Sequence, residues 1–316
     1  MSHNSVNDSV AGSGGRWQRA VIHLFPLPAL LIYTVIIVYS MLAAFGYSFF
    51  SWKGLSRDAF VGFDNFVTLF TEEPYNDTFW RALGHNAYYF ALEMVVQNGI
   101  AFLLAYIIYT KVRGAEWFKS AIFLPRLLSV IVIGFLWKLI LNPNTGVLNT
   151  FLKTIGLNSW ARSWLGDPDT ALTSIIMVNN WFGVGFSLLI LLAGLQSIPS
   201  EIVEAARLDG VKGFKFLRTI IAPLIVPSIV IVTVFSFIHA FEAFELVYAM
   251  QGSQGEPYMS TDTLATYFYR NAFGGTSGGD SVSIGLGSAL AVIMFAIISI
   301  ISAVFMNVTR KHQVDL

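Results

Sequence analysis

Apolar residues fall into six long runs, at about residues 21–49, 84–109, 119–141, 171–195, 219–248 and 284–307. Each reaches the roughly 20 residues that a helix needs to cross the hydrocarbon core of a bilayer. A helix is the expected element, because it satisfies its own backbone hydrogen bonds where water is absent. The run ends carry Trp52, Trp80, Tyr109, Trp137, Asn142-Pro143 and Tyr248. Trp and Tyr gather at membrane boundaries because each joins an apolar body to a polar tip. The first run is too long for a signal-peptide core and lacks a small-residue cleavage pattern, so it reads as a retained helix.

Composition agrees with that pattern. The 316-residue chain is 55% hydrophobic and 12% charged, with a mean hydropathy of +0.64. A soluble domain carries about 25% charged residues, so the class is an integral membrane protein. Net charge is zero and no basic tail stands out, so nothing points to nucleic acid. The absence of cysteine removes disulfide and thiolate chemistry. Residues 1–15, rich in Ser, Asn, Asp and Gly, read as a short disordered tail.

Six spans put both termini on one side, and basic residues choose which. One set of segments holds Arg16, Arg19, Lys111, Arg113, Lys119, Arg207, Lys212, Lys215, Arg218, Arg310 and Lys311. The opposite, longer loops hold only Lys53, Arg57, Arg81, Lys153, Arg162 and Arg270. Positive charge favours the cytoplasmic face, which places both termini and the loop around Glu204 inside the cell. The outer loops are about 51–83, 142–170 and 249–283. The last contains Gly274-Gly275-Thr276-Ser277-Gly278-Gly279 and reads either as a flexible linker or as a surface that adapts to an external partner.

The loop between the fourth and fifth runs has a structure of its own. Pro199 suits the start of a helix, where its missing N–H has no intrahelical partner. From Ser200 to Leu208, Ile202, Val203, Ala205, Ala206 and Leu208 supply apolar surface, and Glu201, Glu204 and Arg207 supply charge. The paired alanines leave a slim face for close approach of another backbone. Gly210 permits a sharp turn, and the basic segment Lys212–Arg218 follows. About ten helical residues span roughly 15 Å, enough for one knob in one socket. The competing reading is an interfacial helix lying on the inner leaflet, supported by Lys212, Lys215 and Arg218.

Glu204-Ala205-Ala206, Gly210 and Ile220-Ile221-Ala222-Pro223 resemble the EAA loop of permease subunits in binding-protein-dependent ABC importers. That family usually has Leu directly before the proline, where this chain has Ala222, also apolar. Val61-Gly62-Phe63-Asp64-Asn65-Phe66, Trp137-Lys138, Asn142-Pro143, Gly146-Val147-Leu148-Asn149 and Gly194-Leu195-Gln196-Ser197-Ile198-Pro199 are similar to its carbohydrate branch. Within that branch they look like the type represented by the larger maltose and the glycerol-phosphate permeases, from about residue 20 to 310. The resemblance implies an all-α integral membrane protein of six transmembrane helices, with a cytoplasmic coupling helix between the fourth and fifth. It implies a cytoplasmic tail at 1–20, a transmembrane domain at 21–310 with the coupling loop at about 197–219, and a tail at 311–316. The expected location is a bacterial or archaeal inner membrane.

The resemblance also implies the machinery. A second permease subunit would pair with this chain, and two cytoplasmic ATPase subunits would carry ATP and Mg. An extracytoplasmic binding protein would deliver a sugar or oligosaccharide. Glu204, Ala205, Ala206 and Gly210 would couple to the ATPase, with Glu204 near the socket rim. No Gly-rich loop ending in Gly-Lys-Ser/Thr is present, so no catalytic residue, metal or cofactor is expected in this chain.

Polar residues inside spans are costly and mark functional sites by default. Ser236, His239, Glu242 and Glu245 are spaced by three, one drifting face of a helix. His239 and Glu242 suit a water-lined cavity, with interhelical hydrogen bonding as the alternative, and Glu245 also suits a solvated helix end. Asn179-Asn180-Trp181-Phe182-Gly183-Val184-Gly185-Phe186 in the fourth span offers aromatics that could stack on a sugar. By the resemblance, sugar contacts fall on Phe182, Gly183 and Phe186, on Ser236, His239, Ala240 and Ala243, and near Ser129-Val130. Two of these positions are amides in the maltose subunit and alanines here, which casts doubt on maltose itself. Glu93, Gln97 and Asn98 read as interhelical glue.

Two other classes compete. An intramembrane enzyme would need a ligand cluster or an aspartate pair, but His3, His23, His85, His239 and His312 are scattered. A self-contained secondary transporter often shows a repeated half, which is not visible here. Within the importer reading, a glycerol-phosphate ester or polyol is the alternative solute: Arg126 favours it, while His239 and two glutamates favour a neutral sugar.

Overall fold

The computed structural model describes residues 24–110, 112–274 and 283–310. The expected tails at 1–20 and 311–316, Arg16, Arg19, Lys111, Lys311, His3, His23, His312 and the segment Gly275–Gly279 lie outside the described residues. The chain runs through α1 (Leu27–Tyr47), β1 (Phe50–Lys53), β2 (Ser56–Phe60), α2 (Asp64–Thr71), α3 (Tyr75–Tyr109), α4 (Ala115–Leu127) and α5 (Val130–Ile140). It continues through α6 (Val147–Thr154), α7 (Pro168–Gln196), α8 (Ser200–Leu208), α9 (Gly213–Leu224), α10 (Val226–Phe241), α11 (Glu245–Gln251), α12 (Leu264–Phe273) and α13 (Ile284–Arg310).

Among the described residues four helices, α1, α3, α7 and α13, are each long and apolar enough to cross a membrane; the number is six if each bent pair counts as one span. The pairs are α4–α5, bent by 96°, and α9–α10, bent by 75°. Each bend has a local cause. Leu128 and Ser129 adopt extended backbone between α4 and α5. Between α9 and α10, Pro227 lies four residues after Pro223 and lacks the N–H that would bond its carbonyl. The third and fifth apolar runs therefore do not form straight rods.

The central helix is α7, buried on all sides except scattered positions, as expected of a helix that is apolar all round. The lower half of α3, with α8 and α9, packs on it through Ala101, Ala105, Leu191, Leu195, Val203, Phe216 and Ile221. The outer part of α3 packs with α2, α10, α12 and α13 around Leu69, Phe79, Phe237, Tyr267 and Leu290. α4 crosses α7 closely: a Cβ on Gly185 would lie 2.8 Å from Ile122 O and 2.9 Å from Phe123 Cα. α1 is peripheral and turns its apolar side chains outward.

Three expectations need correction. The chain is mostly helical rather than all-α, because β1 and β2 form an antiparallel hairpin with Phe50 opposite Phe60. Ser236, His239, Glu242 and Glu245 do not share one helix: α10 ends at Phe241, and Glu245 begins α11. At this break, donors distant in sequence bond the carbonyls. Asn86 Nδ2 donates to Ala240 O at 2.6 Å, and Thr263 Oγ1 donates to Ala243 O at 2.8 Å.

The third concerns the loop read either as a flexible linker or as an adaptable surface: its described part over 249–273 is an ordered clamp, while Gly275–Gly279 lie outside the described residues. Arg270 and Asp262 form a buried two-pronged pair at 2.7 and 3.1 Å, and Arg270 also donates to Ser253 O at 2.8 Å. Thr263 caps α12 and exchanges bonds with Thr266. His85 Nδ1 donates to Asp262 O at 2.7 Å, and Leu264 N donates to Asn86 Oδ1 at 2.9 Å, tying the clamp to α3.

Candidate functional site

A π-helical turn over Glu93–Asn98 interrupts α3 near its middle. Such turns rotate side chains out of the regular helical register and are frequent at functional sites. Here the turn carries three buried polar residues, Glu93, Gln97 and Asn98, toward α7 and α10. Gln97 Nε2 donates to Ser187 Oγ at 3.1 Å, and Asn98 Nδ2 donates to Ser236 Oγ at 2.9 Å. These two bonds are the interhelical glue expected from the sequence. Glu93 differs: it accepts a 3.3 Å hydrogen bond from Gln97 Nε2 and meets His239 Nδ1 at 3.5 Å.

Two cavities lie close to this turn and share part of their lining. One, of about 190 Å³, is lined by Glu93, Gln97, Arg126, Gly183, Phe186, Ser187, Val232, Phe235, Ser236 and His239. The other, of about 270 Å³, is lined by Tyr89, Arg126, Val130, Asn179, Phe182, His239 and residues 242–247. Arg126 and His239 line both. Val130, Phe182, Gly183, Phe186, Ser236, His239, Glu242 and Ala243, picked from the sequence, each line one or both of these cavities. Ala240 does not: it is fully buried beneath the lining and packs in a cluster with Tyr89, Leu172, Ile176 and Ala243.

Each wall has a structural reason. Gly183 leaves a notch that Gln97 Oε1 fills, since a Cβ there would collide with that oxygen. Arg126 sits on the last turn of α4, with its guanidinium 4.7 Å from the Phe182 ring centre and 5.8 Å from that of Phe186. Stacking of this kind is attractive because the ring faces carry partial negative charge. Phe186 also meets Phe235 edge to face at 5.6 Å. The surface combines aromatic faces, one guanidinium, and the carboxyl groups of Glu93, Glu242 and Glu245. Sequence reading noticed Arg126 but missed its stacking, and assigned Glu93 and Gln97 to packing alone. The signal for a lining role was the clustering of three polar side chains in an apolar run.

At the other end of the bundle, α8 forms where expected, beginning at Ser200 immediately after Pro199. Glu204 and Ala205 are exposed, and Leu208 is 89% exposed. Ala206 is buried against α3, α7 and α9, so the two alanines face different ways, as positions about 100° apart on a helix must. Gly210 has φ +74°, the left-handed turn proposed for it. A groove of about 670 Å³ runs beside α8 between Tyr106, Tyr109, Val203, Glu204, Lys212 and Phe216.

The profile of a family described as "binding-protein-dependent transport system inner membrane component" matches residues 97–313. The chain is 30% identical to the multiple sugar-binding transport system permease protein MsmF of Streptococcus mutans, with 92% of this chain and 95% of that one covered. It is 26% identical to the probable starch degradation products transport system permease protein AmyD of Thermoanaerobacterium thermosulfurigenes, covering 93% and 95%. Among solved structures, a bacterial alginate ABC transporter in complex with an alginate-pentasaccharide-bound periplasmic protein contains a similar chain. Its TM-score is 0.78 at 25% identity, covering 93% of this chain and 96% of that one.

Proposed function

The chain belongs to the binding-protein-dependent transport system inner membrane component family, and from that premise we propose that it is the permease subunit of a sugar-importing ABC transporter. The observation that carries this reading is the pair of neighbouring cavities, lined by aromatic and polar side chains near the midpoints of α3 and α7. Apolar walls with a few convergent polar groups suit a small polyhydroxylated ligand. The carboxyl groups of Glu93, Glu242 and Glu245 oppose an anionic solute, which weighs against a phosphate ester. The names of the relatives, which speak of sugars and starch products, support the same substrate class.

In this reading α4–α5 and α9–α10 each make one span, giving six, with both termini and α8 in the cytoplasm. A second permease subunit completes the path, and an external binding protein delivers the solute. Exposed Glu204 and Ala205 dock α8 on a separate ATPase that holds ATP and Mg. Inward-facing Ala206 lets α8 press closely on α3 and α9, so movement of the docked helix is passed to the transmembrane body. Gly210 supplies the turn behind it.

Co-purification with the neighbouring subunits, followed by ATP hydrolysis measured across a panel of sugars, tests the substrate class. Glu204→Lys with Gly210→Pro should abolish ATP-driven uptake while the external protein still binds its sugar. Undiminished uptake, or uptake that survives removal of every ATPase subunit, would overturn the reading.

A further inference from the structure

Buried polar groups are costly unless hydrogen-bonded, and struts between helices normally satisfy them. Gln97 with Ser187 and Asn98 with Ser236 behave as such struts. Glu93 does not. It is 3% exposed, yet among the described residues it holds only the long contacts to Gln97 and His239. Among the same residues its Oε2 has no hydrogen-bond partner, and neither do Gln97 Oε1, His239 Nδ1 and Asn179 Nδ2. These unpartnered atoms belong to residues that line the two cavities.

We propose that Glu93 is a specificity-determining residue that reads hydroxyl groups of a neutral sugar ring in the cavity beside α3, with His239 as its partner. The inference rests on the reading of the chain as a sugar permease and adds a substrate contact on α3. The gap of 3.5 Å between Glu93 Oε2 and His239 Nδ1 is too long for a good hydrogen bond. A hydroxyl group inserted there donates to the carboxyl oxygen and bonds the imidazole nitrogen, so both atoms gain partners. Phe186 and Phe235, beside the same cavity, offer ring surfaces for the C–H face of the sugar. Arg126 stacks on Phe182 and Phe186 and so holds these rings against the cavity. Because Oε2 and Nδ1 are both shielded from solvent, admission of the hydroxyl parts α3 from α10 at this point. Sugar occupancy is thereby linked to the relative position of these two helices.

The test uses the complete reconstituted transporter and measures uptake of maltose, lactose and N,N′-diacetylchitobiose as neutral probes and of an oligogalacturonate as an anionic one. For a neutral probe that is carried, Glu93→Gln should raise KM by about tenfold or more, the loss expected for a hydrogen bond to a charged group. One singly deoxygenated analogue of that sugar should be carried almost equally by the wild type and Glu93→Gln, because the hydroxyl that Glu93 reads is already missing. Glu93→Asp keeps the carboxyl and should shift KM in the same direction, which serves if the glutamine variant fails to assemble. A loss of equal factor for the sugar and all its deoxy analogues would make Glu93 a strut and sink the proposal. Preference of the wild type for the oligogalacturonate would also sink it while leaving the permease reading intact. If no probe of either kind is carried, the sugar-permease reading falls and the proposal falls with it.

Discussion

Replacing Arg270 with Met removes three donor contacts from the outer clamp at once. Two go to Asp262, at 2.7 and 3.1 Å, and one goes to Ser253 O at 2.8 Å. Asp262 is fully buried and Arg270 is 6% exposed, so water cannot replace the lost guanidinium without opening the clamp. Of the side-chain donors on Asp262, only Thr266 Oγ1, at 2.6 Å, would remain. Breaking a buried pair from one side costs about 3–5 kcal/mol, and the orphaned Ser253 carbonyl lies within that range rather than on top of it. Unfolding by SDS titration in mixed micelles should show this loss for Arg270→Met. The double variant Asp262→Leu with Arg270→Met removes the stranded carboxyl and should recover a large part of it. A loss below about 1 kcal/mol would equate the pair with an exposed salt bridge and refute the reasoning. So would a double variant less stable than the single one.

Three further outcomes follow from the geometry. Gly185→Ala should cost about 1–3 kcal/mol, because its Cβ meets the Ile122 carbonyl and Phe123 Cα rather than a movable side chain; unchanged stability would refute the close α4–α7 crossing. Gly210→Ala should destabilise the turn after α8 by about 1–2 kcal/mol, since φ is +74°; hydrogen exchange over 209–213 that matched the wild type would contradict it. Burial pushes the Tyr267 hydroxyl up to about 12. The folded state therefore resists its ionisation, and the stability it contributes is whole below pH 10 and lost toward about pH 12. Tyr267→Phe should remove that increment, read as the difference between wild-type and variant pH–stability curves. Identical curves would exclude it.

Hydropathy located the apolar runs because the cost of exposing peptide groups to lipid acts on every residue of a span. It could not locate the bends. Extended Leu128 and Ser129 read as ordinary apolar and small residues, and the marks in the sequence were Pro125, just before them, and the Pro223–Pro227 spacing. The stripe from Ser236 to Glu245 misled for the same reason: helical spacing assumes that the helix continues. Asn86 and Thr263, distant in sequence, meet the carbonyls of Ala240 and Ala243 at the break. Much of the cavity lining was nevertheless legible: the resemblance marked Phe182, Gly183 and Phe186, and the polar spacing within the fifth run marked Ser236 and His239. Glu93 escaped because π-turns have no strong composition signature. The order of the outer clamp escaped because Asp262 and Arg270 find each other only once α12 has formed.

The length of α3 makes it a timing shaft for the molecule. His85 and Asn86 engage the clamp, Glu93 and Gln97 face the cavity, and Tyr106 and Tyr109 border the groove beside α8. From Asn86 to Tyr106 the helix covers about 30 Å, and each residue turns it by about 100°. The π-turn between them takes up one extra residue in a single wide turn, so the helix on either side keeps its phase. Deleting a single residue from 93–98 would restore a regular helix with little effect on hydropathy or length. Clamp and tyrosines would stay in step, and only the middle station, Glu93 and Gln97, would turn away from its cavity.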